Sequence, residues 1–156
     1  MKKIIGFIGD TKSGRTTAAN ILSKKGFCKV SINEKVSELA SHLFTKEELA
    51  LNKVSILNGV RKRGCSIIKE YWLNLVLVTI PDDAKFVIFD DISVEEAESD
   101  KIASYQIYRP GVSRERIEGI ETIENDGSLK DFEKKIEELY KKIVSKKVAR
   151  SPQRNV

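Results

Sequence analysis

Residues Lys3 to Ile8 form a short, almost unbroken apolar run that stops at Gly9, and an amphipathic segment follows within a few residues. A run without polar alternation is the signature of a strand covered on both faces, as in the middle of a parallel sheet. Parallel neighbours cannot be joined by a tight turn, so the chain has to cross over, usually through a helix. Thr16 to Lys25 supplies one. Ala18, Ala19, Ile21 and Leu22 fall at helical spacing, and Gly26 stands just past the end, where a C-cap belongs.

The alternation continues downstream. Phe27 to Ile32 reads as a second strand, and Glu34 to Thr79 switches to helical spacing, punctuated by Gly59 and Gly64. The last of these helices carries Ile68, Tyr71, Trp72, Leu75 and Val76 and ends before Pro81, which cannot continue a helical ladder. Lys85 to Phe89, Tyr105 to Tyr108 and Ile120 to Ile123 read as further strands. The final helix has Leu129, Phe132, Ile136, Leu139, Tyr140 and Ile143 on one stripe, with Ser128 placed as its N-cap. Strands alternating with helices predict an α/β fold: a mostly parallel sheet of about five strands with helices on both faces.

The turn between the first strand and the first helix is Gly9-Asp10-Thr11-Lys12-Ser13-Gly14-Arg15-Thr16-Thr17. Its spacing matches the phosphate-binding pattern G-x-x-x-x-G-K-[ST]. Glycines let such a backbone curl so that successive N–H groups and the helix N-terminus point at phosphate oxygens, while the hydroxyl in the last position can ligate magnesium. Arg15 stands where the pattern has lysine. It keeps the positive charge on a bulkier, planar group, and Lys12 adds a second cation.

The run Lys12-Ser13-Gly14-Arg15-Thr16-Thr17 resembles the phosphate loop of phage-type deoxynucleoside monophosphate kinases and their relatives, among them dephospho-coenzyme A and animal phosphomevalonate kinases. Three later segments are similar as well. Arg61-Lys62-Arg63-Gly64-Cys65 with Tyr71-Trp72 resembles an R-x-x-x-G segment and a tyrosine-tryptophan helix. Phe86 to Asp90 with Glu96-Ala97-Glu98 resembles V-V-I-x-D-V-R-F-x-N-E-A-E, with Ile92 at the apparent place of its arginine. Asn125-Asp126-Gly127-Ser128-Leu129 resembles an N-D-G-S-L turn.

The resemblance, running from about Lys3 to about Val144, implies a three-layer P-loop fold and transfer of the ATP γ-phosphate to a nucleoside monophosphate or similar phosphorylated small molecule. Under it, Gly9, Thr11, Lys12, Ser13, Gly14, Arg15, Thr16 and Thr17, with Asn125 and Gly127, hold ATP, and Thr16 and Asp90 organise Mg2+. Arg61 and Arg63 grip the acceptor phosphate. Arg15, Asp90 and Arg109 are the catalytic candidates, because phosphoryl transfer needs charge stabilisation on spread-out oxygens more than covalent chemistry. Residues 34–79 become a helical acceptor-binding insert and residues 109–118 a lid arm. A degenerate nucleotide-binding or regulatory protein with little transfer is the alternative, supported by Arg15 and Ile92.

Other residues admit two readings. Asp90 closes a strand and Asp91 follows it, so both could serve a magnesium ion or act as local turn carboxylates. Arg114 and Arg116 either belong to the lid or pair with Glu115 and Glu118 in an exposed loop. His42, with no nucleophile at a recognisable spacing, reads as structural, and Trp72 as a core anchor.

The bulk numbers bound these readings. The 156 residues, 40% of them hydrophobic, suffice for one domain with one continuous core, taken to span residues 1–147. The net charge is +5, yet Leu129 to Val156 holds nine Lys or Arg against four Asp or Glu, so the rest of the chain is balanced. That argues against nucleic acid as a partner. It leaves a basic tail over 148–156, read as disordered. Cys28 and Cys65 show neither disulfide nor metal spacing, which suits a reducing, cytoplasmic setting. The apolar start is too short for a signal peptide, and no stretch is long enough to span a bilayer.

Overall fold

The computed structural model describes residues 2–153, with side chains through residue 145. Residues 148–153 of the expected disordered tail continue the final helix, and residues 154–156 lie outside the described residues. Five parallel strands, β1 (Lys3–Ile8), β2 (Cys28–Val30), β3 (Phe86–Phe89), β4 (Ala103–Tyr108) and β5 (Glu121–Glu124), form one sheet in the order β2-β3-β1-β4-β5. The first strand of the sequence is therefore the middle of the sheet, as its unbroken apolar run predicts.

Strand alternation sends β1 side chains to two separate cores. Ile5 and Phe7 join Ala18, Ala19 and Leu22 of α1 (Arg15–Lys24) and Phe132, Ile136 and Leu139 of α6 (Leu129–Gln153). On the other face, Ile8 packs with Val87, Phe89 and the helices of the 34–79 region. These are α2 (Ile32–Leu43), α3 (Lys46–Ile67) and α4 (Tyr71–Leu77), to which α2 gives Ile32 and Val36 and α4 gives Trp72, Leu73 and Val76. The result is the expected three-layer α/β fold of the P-loop type. Each large apolar side chain buried this way contributes about 1.5–3 kcal/mol.

The helix ends follow local chemistry. Ser128 caps α6 as expected, its hydroxyl accepting the Asp131 amide while the Asp131 carboxylate accepts the Ser128 amide. Thr45 with Glu48, and Ser93 with Glu96, form capping boxes at α3 and at the short α5 (Val94–Ala97). Strand β2 stops at Val30, two residues short of the expected Ile32. The reason is tertiary: Asp91 accepts hydrogen bonds from the amides of Ile32 and Asn33 and from the Ser31 hydroxyl, which starts a helix there. Helix α3 is broken at Asn52, whose backbone (φ −140°, ψ 37°) is not helical. Among the described residues no helix is long and apolar enough to cross a membrane.

Candidate functional site

Because all five strands are parallel, their carboxyl ends share one edge, and the glycine loop, Asp90, Arg109 and Asn125 lie along it, whereas Arg61 and Arg63 belong to α3. β1 feeds the glycine loop, and the residues immediately after β3, β4 and β5 are Asp90, Arg109 and Asn125. β1 and β4 are neighbours whose following connections leave in opposite directions, to β2 and to β5, and such a switch point opens a crevice at the strand ends.

The loop coils tightly. The Ser13 amide donates to the Asp10 carbonyl at 3.0 Å, Lys12 adopts φ 71° and Gly14 adopts φ 114°, a backbone that side chains other than glycine's disfavour. Gly9 permits close approach: a methyl there would sit 2.9 Å from the Ile107 carbonyl oxygen. Asn125 clamps the loop from the far side, its Nδ2 donating to the Ser13 carbonyl at 2.9 Å and its backbone amide to the Tyr108 carbonyl at 2.7 Å.

Helix α1 differs from α2, α3, α5 and α6 in having no side chain capping its N-terminus and no acidic residue in its first turn. Its leading amides therefore keep their hydrogen-bonding capacity, at the positive end of the helix dipole. They face a cavity of about 510 Å³. Loop residues Thr11, Lys12, Gly14, Arg15, Thr16 and Thr17 form one wall of it. Arg109, Asn125 and Gly127 supply polar groups opposite, and Leu129 and Phe132 an apolar end. Gly9 and Ser13 lie behind this wall, with Ser13 fully buried and its hydroxyl unpartnered.

Asp90, which follows β3 and is not among the residues lining that cavity, has Oδ1 buried and unpartnered and Oδ2 3.8 Å from the Lys29 ammonium. Burial raises its pKa first, the neighbouring Asp91 charge adds to the rise, and Lys29 and Arg15 pull it back. A buried carboxylate oxygen with no donor suits a cation, and the unsatisfied loop amides suit a polyanion, so the residues present fit magnesium and a nucleotide polyphosphate. Among the described residues no group of three or more His, Cys, Asp or Glu could hold a metal ion, so waters, hydroxyls or phosphate oxygens would supply most of any magnesium shell.

Two candidates also have structural partners. Both oxygens of Asp91 accept hydrogen bonds at the start of α2. Arg61 is engaged as well. Its guanidinium donates to Asn33 Oδ1 at 2.6 Å, to the Asp91 carbonyl at 2.7 Å and to the fully buried Glu96 at 2.7 Å, which joins the helical insert to the end of β3. Arg63 instead lines a second, mainly apolar cavity of about 700 Å³ between α2, α3 and α4. His42 is exposed at the same cavity, and Trp72 is buried as expected, its indole N–H bonded to the Arg61 carbonyl.

Residues 109–118 are fastened down. Ser113 closes the 109–113 turn through its hydroxyl and amide, and the buried Gln106 holds the backbone of Glu115 and Ile117. Arg114 bonds Asp10 of the loop, while Arg116 bonds Glu124 and stacks on Tyr108, so neither arginine pairs with Glu115 or Glu118. Sequence reasoning missed the Asp10–Arg114 pair, Lys29 beside Asp90, and the cavity wall at Phe132. The apolar stripe of α6 marks Phe132 as core, and nothing local marks the other two.

No family model matches the chain, and no curated protein matches it. Among solved structures, the crystal structure of TT1252 from Thermus thermophilus is similar, at 18% identity with a TM-score of 0.56, covering 93% of this chain and 97% of that one. At that identity the likeness concerns the fold.

Proposed function

We propose that this chain is a phosphotransferase that moves the γ-phosphoryl group of ATP to a phosphorylated small molecule, a nucleoside monophosphate being the leading acceptor. The observation that carries the reading is the uncapped N-terminus of α1, wrapped by a glycine loop and opening on a cavity with Arg15 and Arg109 at its rim. Polyphosphate recognition asks for that combination of backbone donors and fixed cations. Loop amides from Thr11 to Thr16 hold the β-phosphate, and Arg15 reaches the γ-phosphate. Arg109 stabilises the group in transfer. Thr16 and Asp90 hold magnesium, which when bound supplies charge neutralisation between the phosphates. Asn125 and Gly127, with the apolar wall at Phe132, accommodate the nucleoside. Arg63 is left as the acceptor-side cation. Cys28 and Cys65, both unpaired, support a cytoplasmic location.

Purified protein incubated with labelled ATP, magnesium and a panel of nucleoside monophosphates and other phosphorylated metabolites tests this. Transfer to at least one acceptor is expected. ATP binding without transfer to any of them would favour the alternative, a nucleotide-binding module, for which Arg15 in place of lysine and the missing arginine at Ile92 are the specific support. Arg15→Lys separates the two readings: a large rise from near-zero turnover marks a binder, and an equal or lower rate marks a working arginine.

A further inference from the structure

An acidic residue inside a loop built for polyphosphate is a liability unless its charge is cancelled, because an uncompensated carboxylate would repel the ligand across a short, poorly screened distance. Asp10 occupies that position. Its carboxylate is absent from the cavity wall and turned to residue 114, accepting the Arg114 amide at 3.0 Å on Oδ2 and the guanidinium at 3.3 Å on Oδ1. The Arg114 amide and guanidinium together hold the Asp10 pKa below the usual carboxylate range.

The attachment point matters more than the neutralisation. Arg114 directly follows the 109–113 turn, which closes on itself: the amides of Val112 and Ser113 donate to the Arg109 carbonyl, and the Arg109 amide donates to the Ser113 hydroxyl. On its upstream side the turn is anchored by β4. On its downstream side the first anchor is Asp10. Held at both ends, the turn presents Arg109 to the cavity, where its guanidinium also donates to the Lys12 carbonyl at 3.3 Å. The loop that would receive the phosphates thus carries its own fastening for the arginine that would act on them.

We propose that Asp10 is a positioning residue for phosphoryl transfer, latching the 109–113 turn through Arg114 so that Arg109 stays over the phosphate cavity. This rests on the reading of the cavity as an ATP site. The latch itself is visible without nucleotide. In hydrogen exchange on the full chain, the Arg114 amide is expected to be protected in the wild type, to lose protection in Asp10→Ala, and to retain part of it in Asp10→Asn, whose remaining oxygen still accepts. Kinetically, Asp10→Ala is expected to lower kcat about tenfold while leaving ATP affinity within about twofold, since misplacing a positioned group costs rate more than binding.

The decisive comparison adds Asp10→Ala to Arg109→Ala. Because the latch acts through Arg109, the double variant should be no slower than Arg109→Ala alone. Equal rate losses on both backgrounds, or an Arg114 amide whose exchange ignores Asp10, would overturn the proposal. Should Asp10→Ala fold poorly, Arg114→Ala, which alters a side chain 89% exposed and spares the loop sequence, removes the guanidinium half of the latch while the amide half stays, so its rate loss should be smaller and likewise absent on the Arg109→Ala background. A wild-type protein that transfers nothing would overturn the phosphotransferase reading and with it the catalytic role of Asp10. The exchange data would still report on the latch.

Discussion

Arg61 donates a guanidinium N–H to Glu96 at 2.7 Å, and the carboxylate it meets is completely shielded from solvent. The same nitrogen also reaches the Asp91 carbonyl, so one side chain ties α3 to the segment after β3. Removing Arg61 would strand a buried negative charge whose second oxygen already lacks a partner. Arg61→Ala should therefore destabilise the protein by about 3–5 kcal/mol, measured by urea unfolding. A variant with native stability and only a raised acceptor KM would return Arg61 to the substrate site.

Gly14 carries the bend on which the loop depends. Alanine there meets both an unfavourable φ of 114° and the Asn125 side chain, whose Nδ2 would lie 2.7 Å from the new methyl. Gly14→Ala should cost about 2 kcal/mol of stability, and nucleotide binding should fall further than that loss explains. Calorimetric titration with magnesium ATP well below the unfolding temperature checks it.

Much of this was legible in the chain itself, for a physical reason. A strand buried on both faces, such as β1, leaves an apolar run without alternation, and the glycine spacing after it reflects a backbone bend that side chains would block. The covered stripe of α6 and its Ser128 cap are equally local. Residues whose roles depend on distant partners were not legible. Nothing near Arg61 or Asp91 in sequence announces that Glu96 and the start of α2 are their partners. Asp10 looks like an incidental loop residue until Arg114 arrives from far along the chain.

Asp90 should show the opposition between stability and function. Its folded-state pKa is raised above 3.8, chiefly by burial, so its protonated form is favoured in the native state. The sign follows: its contribution is most favourable below pH 3.8 and is lost as pH rises through the folded value, leaving the ionised group a cost at neutral pH. Asp90→Asn should accordingly stabilise the nucleotide-free protein at pH 7 by about 1 kcal/mol, a rise in Tm of roughly 2–4 °C. The gain should vanish in acid. The same variant should lose the extra stabilisation that magnesium ATP gives the wild type, as thermal melts with and without ligand will reveal.

Arg15 faces the cavity from the first turn of α1, the position from which a cation meets the outer phosphates. Truncation to alanine removes a charge-assisted interaction of about 1.5–3 kcal/mol, so affinity for ATP should fall by roughly 10- to 100-fold. Affinity for adenosine, which has no phosphate, should not change.

The central claim is that the loop from Gly9 to Thr16 is a polyphosphate cradle. Isothermal titration of the wild-type protein with a non-hydrolysable ATP analogue and magnesium tests it most directly. One-to-one binding that weakens sharply in Arg15→Ala is the predicted result. No heat of association in the wild type, or equal affinity in the two proteins, would contradict it.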